Sequence, residues 1–487
     1  MADLRPARHP CGMNLPRRDP ADSLWRPDRR ALTLGLVLTI TLVGFEALAI
    51  STVMPIVARE LGGLELYGWV FSAFFLGSLI GIVVVGGAID RGGLAVPFAT
   101  GLGLFAIGLL AGGLAPSMAV LVGARFVQGL GAGAIQPIAY VAIGRTLPET
   151  LRPRMFATLS TAWILPGVVG PAIAGAVGES IGWRFVFLGL LPLIALAGAL
   201  TLGALHAVAV PAGVDEHRAA AANRSRLPLA LTVALGAGLL TLGLTSGQPL
   251  PTIALSTAGI VIGIIALRRL TPAGTLRAQP VLPAAILLRG ILTCAFFGVD
   301  AFVALTLVDW RGLSATQAGI ALTAATIAWT AGAWIQARGA GSWPTRQFIR
   351  VGFAVTIIGL AGMLLVLNPE VPWIVGVGSF GVAGLGMGLA YSPLALIVLR
   401  EASPENQGAA TSSLSLTDSL GTALGTGLTG AMVAASVRST GEAATGLAVG
   451  FAIAIAIGFG GLLLTGRLRP RTVPAAALAL SPASPPS

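Results

Sequence analysis

No lysine occurs among the 487 residues: all 30 basic side chains are arginine. Charge of either sign is scarce, at 10% of the chain, where a soluble domain carries about 25%. Hydrophobic residues make up 55% and the mean hydropathy is +0.88. This composition excludes a soluble globular protein. The two cysteines, Cys11 and Cys294, lie far apart and support neither a disulfide framework nor a metal site. The three histidines, His9, His206 and His217, lack metal-ligand spacing. Without a nucleophile–base pair or a metal cluster, an enzyme is not expected, and no cofactor is implied. The absence of a phosphate-binding P-loop argues against ATP as the energy source. The first 30 residues hold Arg and Pro but no apolar run, so they read as a disordered cytoplasmic tail and not as a signal peptide.

What the chain has in quantity is apolar runs of membrane-crossing length, which takes about 20 residues. Fourteen are visible: 31–58, 66–89, 95–115, 118–144, 155–178, 183–207, 227–246, 250–267, 283–308, 315–337, 347–367, 371–399, 408–436 and 444–466. The 66 glycines and 31 prolines fit this reading, because small residues let membrane helices approach closely and Pro is tolerated in them. The expected class is all-α, a polytopic membrane protein with both termini cytoplasmic. With that orientation 25 arginines fall on the cytoplasmic side, and Arg59, Arg184, Arg311 and Arg438 fall outside. Arg125 alone lies within a helix, and Arg289 is placed at the cytoplasmic start of the ninth segment. This bias is the positive-inside rule. It turns the net charge of +11 into contact with anionic lipid headgroups, not nucleic acid.

An internal repeat is visible. Gly129–Gly133 (GLGAG) in the fourth segment matches Gly384–Gly388 (GLGMG) in the twelfth. Pro137 and Pro393, then Arg145 and Arg400, follow in the same order. Two related six-helix halves are expected, 31–207 and 283–466, with two extra helices in a linker, 208–282. The tails are 1–30 and 467–487. Parallel repeats of this kind place a substrate site near the midplane between the halves.

Three acids lie deep in apolar segments: Glu46, Asp300 and Asp418. A charge at the bilayer centre costs on the order of 2.5–3.5 kcal/mol on insertion scales, so such a residue is a functional candidate by default. Asp300 lies about 17 Å along the ninth helix from Arg289, at 1.5 Å per residue. Burial favours the neutral form of a carboxyl, and an approaching cation favours the ionised form. Proton and cationic substrate then compete for one group. Glu46 is the first candidate and Asp300 the second. Asp418 sits in a polar stretch, TSSLSLTDSLGT, where hydrogen bonding across helices is the competing reading. Arg125 stays protonated and must be paired or wet, or else snorkel towards the nearer helix end. Trp163, Trp329, Trp334, Phe296, Phe297, Tyr140 and Tyr391 offer rings for stacking on a flat apolar substrate, with Gln128 and Gln136 as polar cavity liners. Packing is the competing role for each aromatic.

Four motifs carry a resemblance. Arg125-Phe-Val-Gln128-Gly129-Leu-Gly131-Ala-Gly133 resembles the R-x-x-Q-G-x-G-x-G motif of major facilitator superfamily transporters. Gly167-Val-Val-Gly170-Pro171-Ala-Ile-Ala-Gly175 resembles the G-P-x-x-x-G signature of that superfamily's antiporters. Gly86-Gly-Ala-Ile-Asp90-Arg91-Gly-Gly93 resembles its G-x-x-x-D-R-x-G loop, although Leu94, Ala95 and Val96 stand where a basic pair is expected. Gly182-Trp183-Arg184-Phe-Val-Phe is similar to its G-W-R-x-x-F motif. The 6 + 2 + 6 layout resembles the fourteen-helix drug:proton antiporter branch. There an Asp in helix 1 precedes a Pro by nine residues; here Glu46 precedes Pro55 by the same spacing.

The resemblance implies proton coupling through Glu46 and Arg125, and a cytoplasmic charge latch at Asp90 and Arg91. It also implies a sealed, bendable fifth helix built on Gly167, Gly170, Pro171 and Gly175, with Pro171 expected to kink it. The expected function is proton-coupled export of amphipathic, drug-like molecules, cationic or neutral, from the cytoplasm across the cell membrane by a monomer. The partners are the substrate, protons and membrane lipids. The alternatives are an uptake carrier, a lipid or metabolite translocator, or a non-transporting sensor.

Overall fold

The computed structural model describes residues 23–27, 29–89, 93–148, 150–206, 216–339, 342–403 and 407–469. Among these residues the chain is helical, with no strand. Fourteen helical spans are long and apolar enough to cross a membrane, from Arg30–Leu61 to Ala444–Leu468. Each coincides with one apolar run of the sequence, and the protein is a multi-pass membrane protein.

The first four spans are single helices: α1 (Arg30–Leu61), α2 (Tyr67–Ile89), α3 (Ala95–Gly113) and α4 (Met118–Thr146). The fifth and sixth are broken. Run 155–178 divides into α5 (Arg152–Thr161) and α6 (Ile164–Val177), with a wider turn at Gly178–Gly182. Run 183–207 divides into α7 (Arg184–Leu188) and α8 (Leu191–His206). The breaks have one cause. Pro166 and Pro192 cannot donate to the carbonyls four residues back, at Ala162 and Leu188, and the helix lapses there. Pro171, the expected kink, lies inside α6, which runs through it. The remaining spans are α9 (Glu216–Thr245), α10 (Pro249–Leu270), α11 (Leu282–Leu305), α12 (Ala315–Gly339), α13 (Thr345–Leu365), α14 (Ile374–Glu401), α15 (Gln407–Thr440) and α16 (Ala444–Leu464).

The internal repeat is a repeat of packing. In α4, Gly129 and Gly133 let the backbone of α2 approach at Phe74 and Ser78, while Gly131 faces α3 at Gly101 and Phe105. In α14, Gly384 and Gly388 meet α12 at Ala325 and Trp329, while Gly386 faces α13 at Gly352 and Thr356. In each half one glycine-studded helix is clasped by two neighbours, as expected where small residues set the approach of membrane helices.

The early and late spans meet through α2 with α15 and through α6 with α12. Gly68 and Gly430 abut, and a Cβ on either would lie 2.6 Å from the other's Cα. Ser72 Oγ donates to the Ala423 carbonyl at 2.9 Å. Arg59 Nε donates to Asp309 Oδ1 at 2.8 Å, and Thr316 Oγ1 donates to Glu179 Oε2 at 2.9 Å. These joints lie towards the end of the bundle away from Arg30. Helix α9 rests against both α2 and α15, where Val233 and Ala237 pack in one cluster with Leu76, Leu79, Leu416 and Leu420.

Candidate functional site

Glu46 lies on the buried stripe of α1 formed with Leu42, Ala49, Ile50 and Val53, the i, i+3, i+4 spacing of one helix face. That stripe turns the carboxylate inward. Arg125 is one turn beyond Leu121 on the buried face of α4 and meets it. The two form an ion pair through Arg125 Nη1 and Glu46 Oε1, with side chains 3% and 1% exposed. Arg125 Nη1 also donates to Gln128 Oε1 at 2.6 Å, and Nε donates to the Val70 carbonyl at 3.3 Å. The guanidinium carbon lies 4.3 Å from the Phe74 ring centroid. Helix α2 thus supplies a carbonyl and a ring face to a cation that α1 neutralises. Two polar atoms are left over: Glu46 Oε2 and Gln128 Nε2 are buried without a hydrogen-bond partner among the described residues. A buried carboxylate oxygen with spare acceptor capacity is suited to take a proton or a cationic ligand. Gln128 is fully buried and belongs to this charge cluster.

A second ion pair corrects the placement of Arg289. Helix α11 begins at Leu282 with Pro at its first turn, so Arg289 lies two turns inside the helix and is buried. It is not at a cytoplasmic end, and Arg125 is not the one deep cation. Arg289 Nε donates to Asp418 Oδ1 at 2.8 Å, and Nη1 donates to the Tyr391 carbonyl at 2.6 Å. The Tyr391 hydroxyl donates to Asp418 Oδ2 at 3.0 Å, and the guanidinium lies over the Tyr391 ring. Close passage of α15 across α11 makes this possible, since Gly421 faces Gly290 and Gly425 faces Cys294. Asp418 therefore does bond across helices, and its partner is a charge.

Aromatic rings connect the two pairs. Phe74, over Arg125, meets Phe75 edge-on with centroids 5.3 Å apart. Phe75 meets Phe297 at 6.3 Å, which crosses from the early to the late spans. Phe297 meets Trp329 at 6.4 Å, and Trp329 meets Tyr391 at 5.2 Å. Phe296 packs against Phe297, Trp329 and Phe380. Phe297 and Tyr391 thus stand in one wall, together with Phe75, which sequence reasoning missed.

The other candidates are placed elsewhere. Asp300 is half-buried in α11 and is a member of neither ion pair. Gln136 and Tyr140 are exposed on α4, where Gln136 Nε2 donates to the Tyr140 hydroxyl at 2.8 Å. Trp163, at the break before α6, lies against Gly44 of α1 and is 42% exposed. Trp334 is exposed beneath Arg338. In α6, Gly167 faces the Thr326 side chain, and a Cβ on Gly175 would lie 2.8 Å from the Thr316 backbone. Pro171 abuts Gly319, whereas Gly170 meets only Phe45 at an ordinary 3.5 Å. A Cβ on Gly86 would touch nothing. Asp90 and Arg91 lie outside the described residues.

Comparison with known proteins places this bundle of fourteen spans with its packing repeat and buried charge pairs. The sequence model described as Major Facilitator Superfamily matches residues 36–426, and the chain belongs to that superfamily. It is a transporter of small molecules, not an enzyme. It is 25% identical over 412 residues to the "Multidrug transporter protein MdtP" of Bacillus subtilis (strain 168), covering 81% of this chain and 73% of that one. It is 22% identical over 397 residues to the "Multidrug efflux pump SdrM" of Staphylococcus aureus (strain N315), covering 80% and 86%. Among solved structures, it superposes on a bacterial homolog of the human lysosomal transporter Spinster, described as inward-facing and unoccupied. That match has a TM-score of 0.62 and 16% identity over 91% of this chain and 98% of that one. A peptide transporter, POT, gives 0.65 and 16% over 90% and 95%.

Proposed function

We propose that this transporter exports amphipathic, drug-like molecules, cationic or neutral, in exchange for protons. It would work as a monomer in the cell membrane with both termini cytoplasmic, by alternating access between the halves 31–207 and 283–466. The observation that carries the reading is Glu46, buried against Arg125 with its second oxygen unpartnered. A proton on that oxygen removes the charge holding Arg125 and leaves it only its bonds to Gln128 and the Val70 carbonyl. A cationic substrate favours the ionised carboxylate instead. The two ligands are then mutually exclusive, and each drives the other's release. A transmembrane difference of one pH unit supplies about 1.4 kcal/mol per proton. The aromatic wall from Phe75 to Tyr391 offers a flat apolar molecule ring faces beside the charge. The names of the two relatives above support drug efflux, and the glycine-lined joint of α6 with α12 supports a cavity sealed against leak.

The test is transport in proteoliposomes of known orientation under an imposed pH gradient. Export is expected to rise with the gradient and collapse when an ionophore dissipates it. Gradient-independent transport, or accumulation towards the cytoplasmic side, would contradict the proposal and favour an uptake carrier.

A further inference from the structure

Outside the charge pairs, the loop between α10 and α11 encloses a hollow of about 340 Å³ lined by Arg268, Thr271, Gly274, Thr275, Arg277 and Gln279, among others. We propose that this hollow binds the phosphodiester headgroup of an anionic phospholipid. The loop stands at the same end of the bundle as Arg30 and Arg469, immediately past the last turn of a membrane span, which is where headgroups lie. No carboxylate lines it. Arg268 and Arg277 are exposed and make no ion pair among the described residues. Each guanidinium presents a planar fork of donors that matches phosphate oxygens in pairs.

The loop is built, not slack. Thr275 Oγ1 donates to the Pro272 carbonyl at 2.7 Å, and the N–H groups of Arg277 and Gln279 donate to the Gly274 carbonyl at 3.1 Å. The Val281 N–H donates to the Arg467 carbonyl at 3.0 Å, fixing the loop to the end of the last span. Ala278 and Val281 hold φ of 47° and 66°, a conformation that costs non-glycine residues energy and persists only where surroundings impose it. The C-terminus of α10 brings a partial negative charge to the hollow, and the two guanidinium groups outweigh it. Basic pockets between spans are the usual recognition element for phosphorylated lipid heads.

The shared chemistry is a phosphate anion, which a lipid or a soluble phosphate can supply. The experiment titrates the full chain, in neutral detergent, with short-chain phosphatidylglycerol and separately with inorganic phosphate, counting bound lipid by native mass spectrometry. Phosphatidylglycerol is expected to fill one preferred site. Its affinity should fall about fivefold in Arg268→Gln or Arg277→Gln and about thirtyfold in the double variant, at roughly 1 kcal/mol per arginine. Arg338→Gln, on a different exposed arginine, serves as the control and should leave binding unchanged. Wild-type melting temperatures would establish that the variants are folded, and Arg268→Lys, which keeps the charge but loses the fork, should bind between wild type and Arg268→Gln. Unchanged lipid binding in the double variant would overturn the site, and inorganic phosphate binding as tightly as the lipid would overturn the lipid assignment.

Discussion

Glu46 and Arg125 stand 79 positions apart in the chain and pair side by side in its interior, one from α1 and one from α4. Neither side chain has water to fall back on, at 1% and 3% exposure. Removing one partner strands the other, a loss of about 3–5 kcal/mol for buried pairs. Arg125→Gln is therefore expected to lower the melting temperature sharply. Glu46→Gln/Arg125→Gln, which leaves no charge behind, should recover much of that loss. Thermal unfolding of the two single variants and the double variant gives the coupling energy directly. Additive losses would mean the pair is not coupled.

The second pair should respond more mildly. Asp418 is 27% exposed, so water reaches it when Arg289 is lost. Arg289→Gln is expected to destabilise less than Arg125→Gln. Tyr391→Phe deletes one hydrogen bond to a charged acceptor, worth about 1.5–3 kcal/mol, and keeps the ring that stacks on Trp329. The same unfolding assay ranks the three variants.

Helix α6 separates packing from motif. A methyl group at Gly175 meets the Thr316 backbone, whereas at Gly170 it meets only the edge of Phe45. Gly175→Ala is expected to cost about 1–3 kcal/mol by overpacking and to cut transport. Gly170→Ala should be close to neutral, although both glycines belong to the same sequence motif. Equal effects of the two would show that the motif acts other than through contact with α12.

Much of this architecture was legible in the chain. Run length against bilayer thickness located all fourteen spans, and the paired GLGAG and GLGMG stretches announced a packing repeat that recurs residue for residue. The helix breaks were legible too, at Pro166 and Pro192, whereas the motif drew attention to Pro171, which lies inside α6. Arg289 was assigned to the cytoplasmic side although the run 283–308 already enclosed it. Pro283, favoured in the first turn of a helix, marks the start that the structure shows, two turns before Arg289. The pairing of Arg289 with Asp418 joins positions 129 residues apart, and no local pattern reports it. The Phe75–Phe297 contact was hidden for the same reason.

The Arg59–Asp309 pair tests how the halves are held. With 58% and 25% exposure it contributes little to stability, about 0.2–1 kcal/mol. Its loss should nevertheless favour separation of α2 from α15. In a chain carrying Cys11→Ser and Ser72→Cys, the new thiol replaces a fully buried hydroxyl. Adding Asp309→Asn is expected to speed its labelling by a water-soluble maleimide, with little change in melting temperature. Unaltered labelling would mean that the remaining joints, Gly68 with Gly430 and Thr316 with Glu179, close this end without the ion pair.

The most direct test of the central claim is proton release on substrate binding, measured in weakly buffered detergent solution with a pH indicator. The wild-type chain should release protons as a cationic substrate saturates it, and more at acidic pH, where the carboxyl starts protonated. Glu46→Gln should bind the substrate more weakly and, at saturation, release none. Equal release from both proteins would contradict the assignment of Glu46 as the group that exchanges proton for cargo.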